Sequence, residues 1–207
     1  FVYAVSPFNF TSIACNLNIA PVLMGNVTVW KPATTAILSN YYLMKILQEA
    51  GVPDGVINFL PGSGSTISDV VFASPDFAGV HFTGSTRTFN TFWKAIGDNI
   101  NNYKTYPKIV GETGGKDFIF AHHSANTQQL AVAIVRGAFE YQGQKCSAAS
   151  RAYIPKEIWN ETLDYIKGMI PQIKMGSSMG LSNFMNSVID EKSFDTIVSY
   201  VERAKQS

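Results

Sequence analysis

Short apolar runs alternate with stretches of helical apolar spacing along the first half of the chain. Phe1-Val2-Tyr3-Ala4-Val5 is too short a run for a helix and predicts a buried strand, with Ser6-Pro7-Phe8-Asn9-Phe10 as the turn after it. Residues 11–24 then carry apolar positions at helical intervals, interrupted at Pro21. Asn26-Val27-Thr28-Val29-Trp30 predicts a second strand, closed by Lys31-Pro32. Thr34 or Thr35 is placed to cap the next helix, in which Ile37, Leu38, Tyr41, Tyr42, Leu43, Ile46 and Leu47 recur at helical steps until Gly51 and Pro53 stop it. Val56-Ile57-Asn58-Phe59-Leu60 predicts a third strand ending in Pro61-Gly62-Ser63-Gly64, and a short helix over 66–73 follows. Ala78-Gly79-Val80-His81-Phe82 is the fourth strand, before Thr83-Gly84-Ser85-Thr86 and a helix containing Phe89, Phe92, Trp93 and Ile96.

Strand, turn and helix repeat here with short connections, the pattern of an α/β fold: a parallel, Rossmann-like sheet with helices on both faces. Ligands of such sheets bind beyond the carboxyl ends of the strands, so the turns at 6–10, 31–35, 61–64 and 83–86 share the edge where chemistry is expected. After the polar loop 98–105, Lys108-Ile109-Val110 is a further strand, and Gly111-Glu112-Thr113-Gly114-Gly115-Lys116 breaks the pattern. The boundary falls there, giving a first domain over 1–112 and the first part of a second α/β domain over 113–207. In the second, residues 117–121 and 151–154 predict strands. Ala125-Asn126 caps a helix over 127–141, and amphipathic helices follow around 159–169 and 193–205.

Composition narrows the function classes. Of 207 residues, 46% are hydrophobic and 15% charged, enough for a core. Sixteen Lys and Arg against 15 Asp and Glu leave a net charge of +1, with no electrostatic footprint for nucleic acid or an anionic membrane. No apolar run is long enough to span a bilayer. Cys15 and Cys146 lie too far apart for a close-spaced motif, which argues against a zinc site or a disulfide framework and suits a reducing compartment. The abrupt start in a strand and the end inside a helical pattern read as an excerpt from a longer protein.

Four places carry candidate chemistry. Cys146 follows Gly143-Gln144-Lys145; a neighbouring cation lowers a thiol's pKa and makes it nucleophilic, and the alternative is a small buried apolar residue. Glu112, at a strand end before two glycines, is placed as a general base with a partly buried carboxylate, or else pairs with Lys116. Asn9 can aim its amide at a reacting carbonyl oxygen, or bond to its own turn. The dinucleotide fingerprint G-x-G-x-x-G is missing, and the turn from Gly84 to Thr88 is the better phosphate candidate or an ordinary helix cap. His81, His122 and His123 form no ligand spacing, and core or loop roles suit them better than catalysis; no metal is expected.

Five segments in order, Ser6-Pro7-Phe8-Asn9-Phe10, Val29-Trp30-Lys31-Pro32, Phe82-Thr83-Gly84-Ser85, Glu112-Thr113-Gly114-Gly115-Lys116 and Gly143-Gln144-Lys145-Cys146, resemble the motif series of the aldehyde dehydrogenase superfamily. The segment Phe139-Glu140-Tyr141-Gln142-Gly143-Gln144-Lys145-Cys146-Ser147-Ala148 resembles its branch that oxidises L-glutamate γ-semialdehyde in proline breakdown. The resemblance implies Cys146 as nucleophile, Asn9 with the Cys146 amide at the oxyanion, and Glu112 activating water. It implies NAD as cofactor, with Lys31 at the adenosine ribose, Ser6 beside the dinucleotide, and Gly84, Ser85, Thr86, Arg87 and Thr88 near the pyrophosphate. Phe10 and Ser147 match positions lining the substrate pocket. Thr34 stands where many members carry an acidic residue for the ribose hydroxyls. The resemblance further implies a small-molecule aldehyde as partner and a homo-oligomeric parent enzyme more than twice this length. Its compartment is the cytoplasm in a bacterium or the mitochondrial matrix in a eukaryote. Oxidation of another semialdehyde, such as succinate semialdehyde, and a non-catalytic nucleotide-binding module are the alternatives.

Overall fold

In the computed structural model, which describes residues 1–206, the chain forms two compact units, one of residues 1–113 and one from Gly114 onward. In the first unit β1 (Val2–Val5), β2 (Thr28–Lys31), β3 (Ile57–Phe59), β4 (Gly79–Thr83) and β5 (Lys108–Glu112) make one parallel sheet in the order β3-β2-β1-β4-β5. Its helices are α1 (Thr11–Leu23), α2 (Ile37–Glu49), α3 (Gly64–Ala73) and α4 (Thr86–Asp98).

The central strand explains why both faces are covered. Successive side chains of a strand point to opposite faces. Tyr3 and Val5 enter one apolar cluster with Val71 and Phe72 of α3 and Phe92 and Ile96 of α4. Ala4, between them, enters the other with Ala14 and Leu17 of α1, Trp30 and Ile57, and Leu43, Met44 and Leu47 of α2 pack against that cluster. An unbroken apolar run is therefore what β1 needs.

Three local expectations are corrected. Helix α1 runs through Pro21, which lies in its last turn; there the missing N–H removes a single bond, and the Pro21 carbonyl accepts from the amides of Met24 and Asn26. Thr34 and Thr35 do not cap α2: they form a 3₁₀ turn, Thr34–Ala36, whose bond from Ala36 N to Ala33 O leads the chain into the helix. Helix α3 begins at Gly64, two residues before its expected start, because the Ser63 hydroxyl caps it by accepting from Thr66 N.

The second unit holds a two-stranded parallel sheet of β6 (Asp117–Phe120) and β7 (Ala149–Tyr153) with α5 (Thr127–Phe139), α6 (Lys156–Met169) and α7 (Glu191–Lys205). Asn126 Oδ1 caps α5 by accepting from Gln129 N at 2.9 Å, as expected. The helix stops at Phe139, short of Tyr141, because the backbone turns left-handed there. Leu130, Ala131 and Val135 are its buried positions.

Candidate functional site

The strand order reverses at β1 and β4, whose connections leave their carboxyl ends toward opposite faces of the sheet; this is where open α/β sheets form a crevice. A cavity of about 480 Å³ opens in the first unit beside α3 and α4. Tyr3 and Val5 of β1, Lys31 of β2, Ser68, Asp69 and Phe72 of α3, and Thr88, Thr91 and Phe92 of α4 line it. The Lys31 ammonium lies 3.8 Å from where a Cβ on Gly64 would stand. Burial pushes Lys31 below the ordinary lysine range, and among the described residues its ammonium forms no ion pair. Tyr3 and Ser68 share a buried hydrogen bond of 3.1 Å between their hydroxyls.

The sequence reading missed the α3 wall. The 61–64 turn is expected at the ligand edge, but it is the helix it opens that supplies the wall: Ser63 caps α3, and Ser68 and Asp69 follow in it.

The other cofactor candidates divide. Ser6 is buried and its hydroxyl accepts from the Trp30 indole N–H at 2.9 Å, so the side chain ties the end of β1 to β2. Of residues 84–88, Thr88 lines the cavity; Gly84, Ser85, Thr86 and Arg87 do not. Ser85 caps α4, accepting from Thr88 N at 3.2 Å. A Cβ on Gly84 would stand 2.7 Å from the Phe82 ring, so that ring alone demands glycine.

Asn9 and Phe10 are half-buried in the turn between β1 and α1. Glu112 is the last residue of β5, in register with Thr83, and its carbonyl accepts from Gly84 N at 3.1 Å. Its side chain is exposed rather than partly buried, because β5 is the edge strand of the sheet. His81 is half-buried with Nδ1 3.1 Å from Leu17 O, and burial lowers its pKa; this is a core role. His122 and His123 lie in the exposed loop after β6 with ring centroids 3.8 Å apart and ring planes tilted by 45°. No group of three metal-ligating side chains occurs among the described residues.

In the second unit, α5 gives way to a 3₁₀ turn, Glu140–Gly143, in which Tyr141 (φ 55°), Gln142 (φ 57°) and Gly143 (φ 68°) are all left-handed. Cys146 follows, half-buried, in a turn closed by Ala148 N donating to Lys145 O at 3.2 Å; Ser147 is exposed. A Cβ on Gly115 would stand 2.8 Å from the Cys146 carbonyl, so glycine there lets the chain entering β6 pass close by. Lys145, the cation expected beside the thiol, pairs with a carboxylate. Its ammonium bonds Glu140 at 2.5 Å, and Arg136 reaches the other oxygen of the same carboxylate at 2.7 Å. Together they hold the Glu140 carboxyl down at about 2. Cys15, in α1, has its thiol pushed up by burial and is the less reactive kind of cysteine.

All of residues 1–207 match the aldehyde dehydrogenase family, and the chain belongs to it. It is 54% identical to the mitochondrial delta-1-pyrroline-5-carboxylate dehydrogenase of Dictyostelium discoideum, a match covering 100% of this chain and 38% of that protein. The mitochondrial enzyme of the same name from Danio rerio is 45% identical, with 100% and 37% covered. The NAD-bound crystal structure of delta-pyrroline-5-carboxylate dehydrogenase from Mycobacterium tuberculosis matches with a TM-score of 0.97 and 50% identity, over 100% of this chain and 39% of that one. The chain thus spans about two-fifths of the length of these relatives.

Proposed function

We propose that the enzyme containing this chain oxidises L-glutamate γ-semialdehyde to L-glutamate with NAD, in proline breakdown. The observation that carries this is identity of 44–54% along essentially the whole chain to relatives named for pyrroline-5-carboxylate oxidation. Residues 1–112 then serve as the nucleotide-binding domain and 113–207 as part of the catalytic domain. The cavity's size lies within the range of about 300–1,000 Å³ usual for small-molecule sites. Its aromatic walls Phe72 and Phe92 suit an adenine ring, while the Lys31 ammonium, without an ion pair among the described residues, suits ribose and phosphate oxygens. Lys31 and Thr88 would hold the adenosine side; Ser6 and residues 84–87 would contribute backbone and turn shape near the pyrophosphate. We assign the mitochondrial matrix to a eukaryotic source, supported by the names of the Dictyostelium and zebrafish relatives, and the cytoplasm to a bacterial one.

The chemistry follows from the residue types. The Cys146 thiolate forms a bond to the aldehyde carbon, and the carbonyl electron pair moves onto oxygen, where the Asn9 amide and the Cys146 N–H donate. NAD, when bound, supplies the nicotinamide that takes up the hydride. Loss of hydride leaves a thioester on Cys146. Glu112 then takes a proton from water, whose oxygen bonds the acyl carbon while the carbon–sulfur bond breaks and the thiolate departs. Phe10 and Ser147 flank the substrate.

NADH formation by the full-length protein tests the proposal. Glutamate semialdehyde is expected to exceed succinate semialdehyde in kcat/KM by at least about tenfold. Equal or reversed preference would assign a different semialdehyde, and no turnover of either would leave a nucleotide-binding module.

A further inference from the structure

We infer that Gln142 is a positioning residue, whose side-chain amide clamps the turn presenting Cys146 onto residues 186–189. The functional half of this inference rests on the thiol chemistry proposed above.

The turn before Cys146 holds a conformation that non-glycine residues rarely adopt. Two successive left-handed side-chain-bearing residues persist only where surrounding contacts over-determine them. Here glutamine side chains supply three such contacts. Gln142 Nε2 donates to Ser187 O at 2.8 Å, and Gln142 Oε1 accepts from Asn186 N at 3.1 Å, so one amide uses both ends on one stretch of main chain. On the far side of Gly143, Gln144 Oε1 accepts from Ile189 N at 2.9 Å. The pair stands in for the ladder that an extended strand would form.

The segment they grip is itself hydrogen-bonded internally. Met175 and Met185 form a parallel bridge, with Phe184 N donating to Lys174 O at 2.9 Å and Gly176 N to Met185 O at 3.1 Å. Asn183 fills the space that Gly176 and Gly180 leave, its Nδ2 donating to Ser177 O at 2.9 Å; a Cβ on either glycine would stand 2.6 Å from that nitrogen. Beyond residue 189, Asp190 caps α7, accepting from Ser193 N at 2.8 Å. On the other side of the turn, Glu140 is held by Arg136 and Lys145. Cys146 lies two residues past Gln144, so motion of this turn displaces the sulfur, and attack geometry tolerates little displacement.

The substitution Gln142→Gly in the full-length enzyme separates the clamp from a simple need for left-handed backbone. Glycine adopts that backbone without strain and removes only the side chain. We expect kcat to fall about tenfold or more with the KM for NAD within about twofold of wild type. Hydrogen exchange at the Asn186 amide and across residues 140–147 should speed by at least about tenfold, with α6 unchanged. Unaltered exchange, or faster exchange with kcat within about twofold of wild type, overturns the inference. If the wild-type protein oxidises no aldehyde, the proposed function falls, and the exchange comparison alone decides whether the clamp exists.

Discussion

The indole N–H of Trp30, one residue before the end of β2, donates to the hydroxyl of Ser6 just past β1, 2.9 Å away and out of reach of water. Both partners sit at the carboxyl edge, and together with Ser6 N donating to Lys31 O at 3.2 Å this bond holds the first turn where it leaves the sheet. Ser6→Ala leaves a buried donor without an acceptor. It is expected to cost roughly 1–3 kcal/mol of unfolding free energy, measured by denaturant titration of the full-length protein. A cost near zero would mean that the Ser6 hydroxyl is not structural.

Lys31 has the opposite signature. Its ammonium is half-buried without an ion pair among the described residues, so folding disfavours its charged form and lowers its pKa. A base with a depressed folded pKa binds fewer protons folded than unfolded, so its burial costs stability at neutral pH. That cost disappears as pH rises through the lowered pKa toward the ordinary 10.5. Lys31→Met is therefore expected to keep or raise the neutral-pH melting temperature while raising the KM for NAD about tenfold. A variant with wild-type KM would remove Lys31 from the cofactor site.

Gly84 offers a test between packing and ligand approach. The Phe82 ring that its missing Cβ would strike is buried, stacked on Phe89 at 5.4 Å and edge-on to Phe92 at 5.2 Å, so it has nowhere to move. Gly84→Ala is expected to cost roughly 1–3 kcal/mol in stability, read from thermal unfolding. Retained stability with a raised KM for NAD would instead assign the glycine to close ligand approach.

How much of this was legible in the sequence depends on the range of the interaction. The run Tyr3-Ala4-Val5 reads as a two-sided buried strand because alternate residues enter opposite clusters, and that placed the sheet and its carboxyl edge. The α3 wall of the cavity was not legible: Ser68 and Asp69 look like solvent-facing polar residues until the crossover from β3 to β4 carries α3 over β1. Lys145 reads as a cation beside the thiol because the two are adjacent in sequence. Its ion-pair partner, Glu140, is five residues back, a spacing no regular element brings together; the left-handed turn at Tyr141 and Gln142 does so. The same turn hides the link from Gln142 to Ser187, across 45 residues.

That ion-pair arrangement has a pH signature. Glu140 titrates at about 2 against an ordinary 4.5, held by Lys145 first and Arg136 second. A depressed carboxylate contributes its stabilisation above the unfolded pKa and loses it as pH falls through the folded one, so the window runs from 4.5 down to about 2. Exposure of the group keeps the effect modest. Glu140→Gln should unfold more readily than wild type near neutral pH, and the difference should shrink as pH drops below about 4.5. A difference that does not vary with pH would mean that the carboxylate's charge is not what holds the turn.

The most direct measurement is of the covalent intermediate itself. The full-length Glu112→Gln variant, mixed with NAD and glutamate semialdehyde, quenched in acid and peptide-mapped by mass spectrometry, should carry a glutamyl thioester on Cys146 and none on Cys15. It should also release about one NADH per active site before stalling. An unmodified Cys146 in a variant that has formed NADH, or an adduct on Cys15 instead, would contradict the account.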